Sequence, residues 1–248
     1  MNLKSFYNKI KTKKLKYFFG SKDIFLEIKK NFSKFFKTND EVLDLGCGGL
    51  ENFMFLKSLK FKTYLGVDWI KFNTFPKDKR FDFKKSEITN FLFKNKKKFN
   101  LIVCIGTLEH FVNPWKVLGR FKKNLKSKGK IIISYPNYYN PRGMVLISLG
   151  YLCGLKFTLS DKYFFSPNEI ETFLRKKGFK NIKTKSIRHE AGYKDLAKKD
   201  LLQRVPKMLK KKFNKKKMTN FISFFTRYTQ NYNPNKFSGH IIIITAEK

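Results

Sequence analysis

The sequence predicts an α/β fold in which a parallel sheet carries helices on both faces. Two observations lead there. Short apolar runs recur at Val42–Gly46, Thr63–Asp68, Leu101–Gly106 and Lys130–Tyr135, each the length of a buried strand. Between them lie segments with apolar residues at helical spacing, such as Leu50-Phe53-Met54-Leu56 and Val117-Leu118-Phe121-Leu125.

A weaker strand, Arg80–Lys84, sits between the second and third runs. Asn113-Pro114 opens a helix over Trp115–Leu125. The next helix has sharp boundaries. Ser166 is its N-cap, Pro167 its first residue and Glu169 the partner in a capping box, while Gly178 ends it. Strands follow at Asn181–Ile187 and in Gly239-His240-Ile241-Ile242-Ile243-Ile244. Two segments break the alternation: an apolar insert at 138–165 and a basic insert at 189–238. Residues 1–38 read as a basic helical extension, and 39–248 as the domain.

Composition sets outer bounds. The chain has 248 residues, 55 Lys plus Arg and 18 Asp plus Glu, a formal charge of +37. Hydrophobic residues at 42% exclude a disordered polycation. Cys47, Cys104 and Cys153 form no CxxC pair, which argues against a disulfide framework or zinc ribbon and for a reducing compartment. No apolar run reaches the roughly 20 residues of a spanning helix, and residues 1–19 lack the apolar stretch of a signal peptide. The expected location is the cytoplasm, soluble or at the inner face of the membrane.

The charge invites a nucleic-acid reading, yet only 7 of the 55 basic residues are Arg, the better reader of phosphates and base edges. Lys, Asn, Phe and Ile, all writable in codons of A and T, make up 116 of 248 residues. Background composition therefore competes with a selected anionic partner. The net charge is +9 over 1–38, +18 over 39–188 and +10 over 189–238, so the flanks are denser.

Chemistry concentrates in Val42-Leu43-Asp44-Leu45-Gly46-Cys47-Gly48-Gly49-Leu50-Glu51, a strand entering a glycine turn. Glycines let a backbone approach a ligand and leave helix N–H groups available to it. The dinucleotide pattern GxGxxG fails, because Glu51 stands where its third glycine belongs. An acid two residues before the first glycine suits a cationic amine instead. Asp68 ends the next strand, where a carboxylate accepts ribose hydroxyls, and Glu87 follows the weak strand, where an acid accepts from a base amine. Leu108-Glu109-His110 follows Leu101–Gly106, and Pro136-Asn137 follows Lys130–Tyr135.

In this order the motifs resemble the class I S-adenosylmethionine-dependent methyltransferases, in particular the group with ubiquinone-pathway O-methyltransferases and bacterial glycan methyltransferases. The resemblance covers 39–188 and the final strand. It implies a Rossmann-like, seven-stranded, mostly parallel sheet in the order 3-2-1-4-5-7-6 with the last strand antiparallel. It implies S-adenosylmethionine as cofactor, S-adenosylhomocysteine as product and no metal. Cofactor contacts are implied for Asp44, Gly46, Cys47, Gly48, Asp68, Trp69, Glu87, Ile88 and Ile105. Two positions depart from the pattern: Leu50 replaces the third glycine, and Glu87 replaces the commoner Asp.

Of the three histidines, His110 lies where acceptors bind and is the candidate base, with Glu109 beside it; the alternative is that both cap the turn. His240 and Cys104 read as core, and His189 could line an acceptor cleft. Residues 138–165 match the place of an acceptor lid, with Met144, Val145, Leu146, Leu149, Tyr151 and Leu152 as an apolar cover; a core helix has the same signature. Residues 205–228 mix lysines with apolar anchors, as helices at an anionic membrane do; a packed helical extension reads alike. The leading reading is O-methylation of a small-molecule, saccharide or lipid-linked acceptor. An RNA methyltransferase and a non-catalytic module at a membrane surface are the alternatives. No Asn/Asp-Pro-Pro-aromatic motif follows Leu101–Gly106, which disfavours a nucleic-acid base.

Overall fold

The computed structural model describes residues 33–48, 59–71, 78–156, 158, 161–210 and 214–248, with Leu26 and Lys30. The helix expected through Leu50–Leu56 and most of the N-terminal extension lie outside these residues.

The described strands are β1 (Glu41–Leu45), β2 (Thr63–Asp68), β3 (Phe81–Lys85), β4 (Phe99–Ile105), β5 (Leu125–Pro136), β6 (Lys180–Ile187) and β7 (Ile241–Glu247). They form one sheet in the order β3-β2-β1-β4-β5-β7-β6. Neighbours from β3 to β5 run parallel, whereas β7 is antiparallel to both β5 and β6. The helices are α1 (Ile88–Lys94), α2 (Pro114–Asn124), α3 (Pro141–Cys153), α4 (Pro167–Lys176), α5 (His189–Tyr193), α6 (Asp195–Leu209) and α7 (Lys215–Gln230).

Period-two alternation divides the sheet's side chains between two cores. Leu43, Leu45, Ile102, Cys104, Ile131, Ile133, Tyr135, Ile242 and Ile244 enter one, with Val117, Leu118 and Phe121 of α2 and Ile170 and Leu174 of α4. Val42, Tyr64, Leu101, Val103, Ile132, Ile241 and Ile243 enter the other, with Phe61 and Phe81. Alternate residues of every central strand are thus buried on opposite faces. That is why these strands read as unbroken apolar runs.

Element boundaries differ from the expected ones by a few residues, most of all at β5. Pairing begins at Leu125 opposite Phe99, and the register slips before Leu101 meets Lys130. Lys128 takes a left-handed conformation (φ 56°) within that slip. The capped helix starts where expected: Glu169 Oε2 accepts the Ser166 N–H at 2.6 Å, and Gly178 closes it at φ 72°.

The basic segment after β6 forms α5, α6 and α7. With α3, the latter two enclose a third core, made of Leu146, Ala197, Leu201, Val205, Met208, Met218 and Phe225. The apolar cover expected over 138–165 is therefore divided. Leu146 is buried, Val145 and Leu149 pack beside it, and Met144, Tyr151 and Leu152 face outward. Asn137, just after β5, ties the two excursions together. Its amide donates to the carbonyls of Phe237 (2.5 Å) and Gly239 (2.7 Å). Asn140 donates to the Gly239 carbonyl as well, and its Oδ1 caps α3 through the Gly143 N–H. Among the described residues, no helix is long and apolar enough to cross a membrane.

Candidate active site at the carboxyl edge of the sheet

Ligands of open α/β sheets bind beyond the carboxyl ends of the parallel strands. There β1 passes into Gly46 and Gly48, both left-handed at φ 79° and 56°. A Cβ on Gly46 would overlap the Thr107 side chain, so only glycine lets this turn lie against the end of β4. A Cβ on Gly48 would meet open space.

Two carboxylates flank the turn. Asp44 is buried, accepts the Tyr64 hydroxyl proton and has its pKa pushed up to about 7 by burial, with the nearby Asp68 adding to the rise. Asp68 accepts the N–H of Gly48 at 3.0 Å and of Ile70 at 3.3 Å, and burial raises its pKa too. Two mutually repelling, partly dehydrated acids beside an open glycine turn suit a ligand that brings a positive charge and hydroxyl groups.

The other expected contacts line the same edge with different roles. Trp69 follows Asp68 and is half-buried, as is Ile105 at the end of β4. Cys47 is buried, and its thiol is pushed well up by burial and by Asp44 and Asp68, which disfavours the thiolate. Glu87 is exposed and is the N-cap of α1: its two oxygens accept the N–H groups of Thr89 (2.9 Å) and Asn90 (2.7 Å). Capping thus already engages the carboxylate expected at a base amine. Ile88 behind it is buried.

Beyond Thr107, a 3-10 turn carries Leu108, Glu109 and His110. His110 is partly exposed, and its Nδ1 lies 3.5 Å from Asp161 Oδ1. Asp161 also accepts the Tyr138 hydroxyl at 2.8 Å. Glu109 is buried, with no hydrogen-bond partner for Oε2, and burial together with Asp161 pushes its pKa well up. One ligand atom from each of Glu109, His110 and Asp161 lies within 4.8 Å of the others, a spacing that could also grip a cation. The Glu109 carbonyl accepts the N–H groups of Lys162 and Tyr163, which fastens the 161–165 segment over the turn.

The remaining histidines stand apart. His240 is deeply buried, held neutral first by burial and then by nearby Arg142 and Arg188, and its Nδ1 lies 3.1 Å from Arg142 Nη1. His189 sits 3.5 Å from Ser186 Oγ. Cys104 is buried in β4.

Sequence reasoning missed Tyr64, Thr107, Tyr138 and Asp161. Asp161 had a signal, for it is the single acid between Glu109 and Glu169. Tyr64 and Thr107 gain their roles from strand neighbours that spacing does not reveal.

A family model described as a methyltransferase domain matches residues 20–184. No curated protein matches the chain. Among solved structures, a SAM-dependent methyltransferase from Archaeoglobus fulgidus is 19% identical with TM-score 0.61, over 92% of this chain and 94% of that one. Phosphoethanolamine N-methyltransferase 2 of Haemonchus contortus, solved with phosphomonomethylethanolamine and S-adenosylhomocysteine, is 18% identical with TM-score 0.55, over 92% of this chain and 53% of that one. A cyclopropane-fatty-acyl-phospholipid synthase-like protein of Lactobacillus casei is 11% identical with TM-score 0.57, over 90% and 89%.

Proposed function

The chain belongs to the methyltransferase-domain family, and on that premise we propose that it methylates a hydroxyl group of a small-molecule, saccharide or lipid-linked acceptor, using S-adenosylmethionine. The observation that carries the reading is the His110–Asp161 pair, carried by the turn that follows Thr107, whose side chain abuts Gly46. When bound, S-adenosylmethionine supplies an electrophilic methyl on a sulfonium. Asp44 and the backbone at Gly46, Cys47 and Gly48 hold the cationic amino-acid end, and Asp68 accepts the ribose hydroxyls. Trp69, Glu87, Ile88 and Ile105 border the base. Burial of Asp44 and Asp68 makes a cationic ligand more welcome than water.

His110 takes the acceptor's hydroxyl proton on the ring nitrogen remote from Asp161, and Asp161 steadies the imidazolium that forms. Tyr138 fixes the Asp161 carboxylate by its 2.8 Å hydrogen bond. Glu109 is buried beside His110 on the same turn. Calorimetry with S-adenosylmethionine tests the central step, and absence of binding to folded wild-type protein would overturn it.

Surface character supports a peripheral contact with an anionic membrane. Among the described residues, Met144, Tyr151, Leu152, Leu196, Leu202, Phe224 and Tyr228 are exposed on α3, α6 and α7. The exposed Lys215, Lys216 and Lys217 open α7. Exposed apolar side chains and lysines on these helices suit an acceptor presented at the cytoplasmic surface of a bilayer.

A further inference from the structure

Two carboxylates and an imidazole converge just past the end of β4. A carboxylate oxygen of Glu109, a ring nitrogen of His110 and a carboxylate oxygen of Asp161 all lie within 4.8 Å of one another. His110 Nδ1 stands 3.5 Å from Asp161 Oδ1. Both acids are withdrawn from water: Glu109 is 4% exposed, and the Asp161 side chain 11%. Glu109 Oε2 is buried and has no hydrogen-bond partner. A buried carboxylate oxygen without a donor is costly, and a second carboxylate beside it adds repulsion to that cost.

The chain holds these three groups in place. Glu109 and His110 are neighbours on one 3-10 turn. The Glu109 carbonyl accepts the N–H of Lys162 at 2.8 Å and of Tyr163 at 3.1 Å, which brings Asp161 up to that turn. Tyr138 donates to Asp161 Oδ2 at 2.8 Å, so Oδ1 is the oxygen turned toward His110. A carboxylate steadied through its outer oxygen in this way is the usual support of a metal ligand. The His110 side chain keeps 21% of its surface exposed, which leaves a way in from solvent.

We propose that Glu109, His110 and Asp161 form a binding site for a divalent cation of the zinc class, and that its occupancy switches off His110 as a base. Two carboxylates and a neutral imidazole balance the charge of a divalent ion. Zinc bonds of about 2.1 Å set tetrahedral ligand atoms about 3.4 Å apart, close to the His110–Asp161 separation. One nitrogen and two oxygens suit zinc, whereas calcium and magnesium favour all-oxygen shells of about six or more ligands. A ring that gives the cation its Nδ1 lone pair carries its one proton on Nε2, and so has no lone pair left for the acceptor's proton. The switch rests on the methyltransferase reading; the site itself does not.

Cobalt(II), which replaces zinc and absorbs visible light, is titrated into the full-length chain after treatment with a chelator. Wild type shows a saturating ligand-field band that equimolar zinc removes. Glu109→Gln and Asp161→Asn each weaken cobalt binding by about tenfold or more. Tyr138→Phe keeps all three ligands and a buried ring, weakens binding by about tenfold, and carries the test if a ligand variant fails to fold. A band that persists at wild-type affinity in these variants belongs to other ligands and would overturn the site. Magnesium competing as well as zinc would overturn the zinc-class assignment. In transfer from labelled cofactor into an acceptor extract, the zinc concentration that halves incorporation matches the affinity found by cobalt competition, and a chelator restores transfer. Incorporation unaffected by saturating zinc would overturn the switch. The cobalt titration needs neither cofactor nor acceptor, so its failure and that of the methyltransferase reading are read separately.

Discussion

The backbone N–H of Gly48 donates to Asp68 Oδ2 at 3.0 Å and so joins the turn after β1 to the end of β2. With the Ile70 N–H on its other oxygen, the carboxylate is oriented before any ligand arrives. On the proposed reading, the cofactor's hydroxyls would meet an acceptor that needs no reordering.

Asp68→Ala removes a charged acceptor worth about 1.5–3 kcal/mol per hydrogen bond. S-adenosylmethionine affinity falls by at least about tenfold. Calorimetry reads it, and an unchanged affinity would show that this strand end does not hold the ribose.

Asp44 links binding to pH. Its pKa rises from 3.8 to about 7 on folding because of burial. Between those values the folded protein holds a proton that the unfolded chain has lost. Asp44 therefore favours the fold most in acid, and that contribution declines as pH rises through about 7. Asp44→Asn flattens this slope in urea titrations. A cationic ligand favours the ionised carboxylate, so its affinity rises toward alkaline pH and binding releases a proton below neutrality. Tyr64→Phe removes a hydrogen bond that lowers the Asp44 pKa and moves the curve to higher pH.

Gly46→Ala places a methyl group into Thr107 on a left-handed backbone. The strain and overpacking together cost about 2–4 kcal/mol, read as a lowered Tm. Adding Thr107→Ala recovers the steric part and leaves the conformational part.

His110→Gln and Asp161→Asn each lower methyl transfer by about 10²–10⁴-fold while leaving S-adenosylmethionine affinity intact. Transfer from labelled cofactor into an acceptor extract is the measurement. Wild-type rates in His110→Gln would remove the base.

Liposome flotation examines the membrane face. Wild type rises with anionic vesicles and not with neutral ones, whereas a variant with Lys215→Gln, Lys216→Gln, Lys217→Gln and Phe224→Ser stays at the bottom. Equal recovery of the two proteins would end that reading.

Most strands were legible because strands buried on both faces write continuous apolar runs, as Ile131–Ile133 and Ile241–Ile244 do, whereas the sheet order followed only from the family resemblance. The capped helix was legible because Ser166, Pro167 and Glu169 act on adjacent backbone. Contacts between distant segments were not. Asp161 meets His110 from 51 residues away, and nothing local to either residue announces the other. Glu87 carries a second role that its place in the order did not announce: its carboxylate caps α1.

Asn137 and Asn140 fasten the start of α3 to the chain where it re-enters the sheet before β7. The two excursions, separated by α4 and β6 in the sequence, therefore behave as one cassette. A graft that swaps these helices for those of another protein must carry residues 137–165 and 188–240 together. Transplanting either alone would leave amide donors facing carbonyls that are no longer there. Substrate range in this chain would then change by whole-cassette replacement more readily than by drift in one loop.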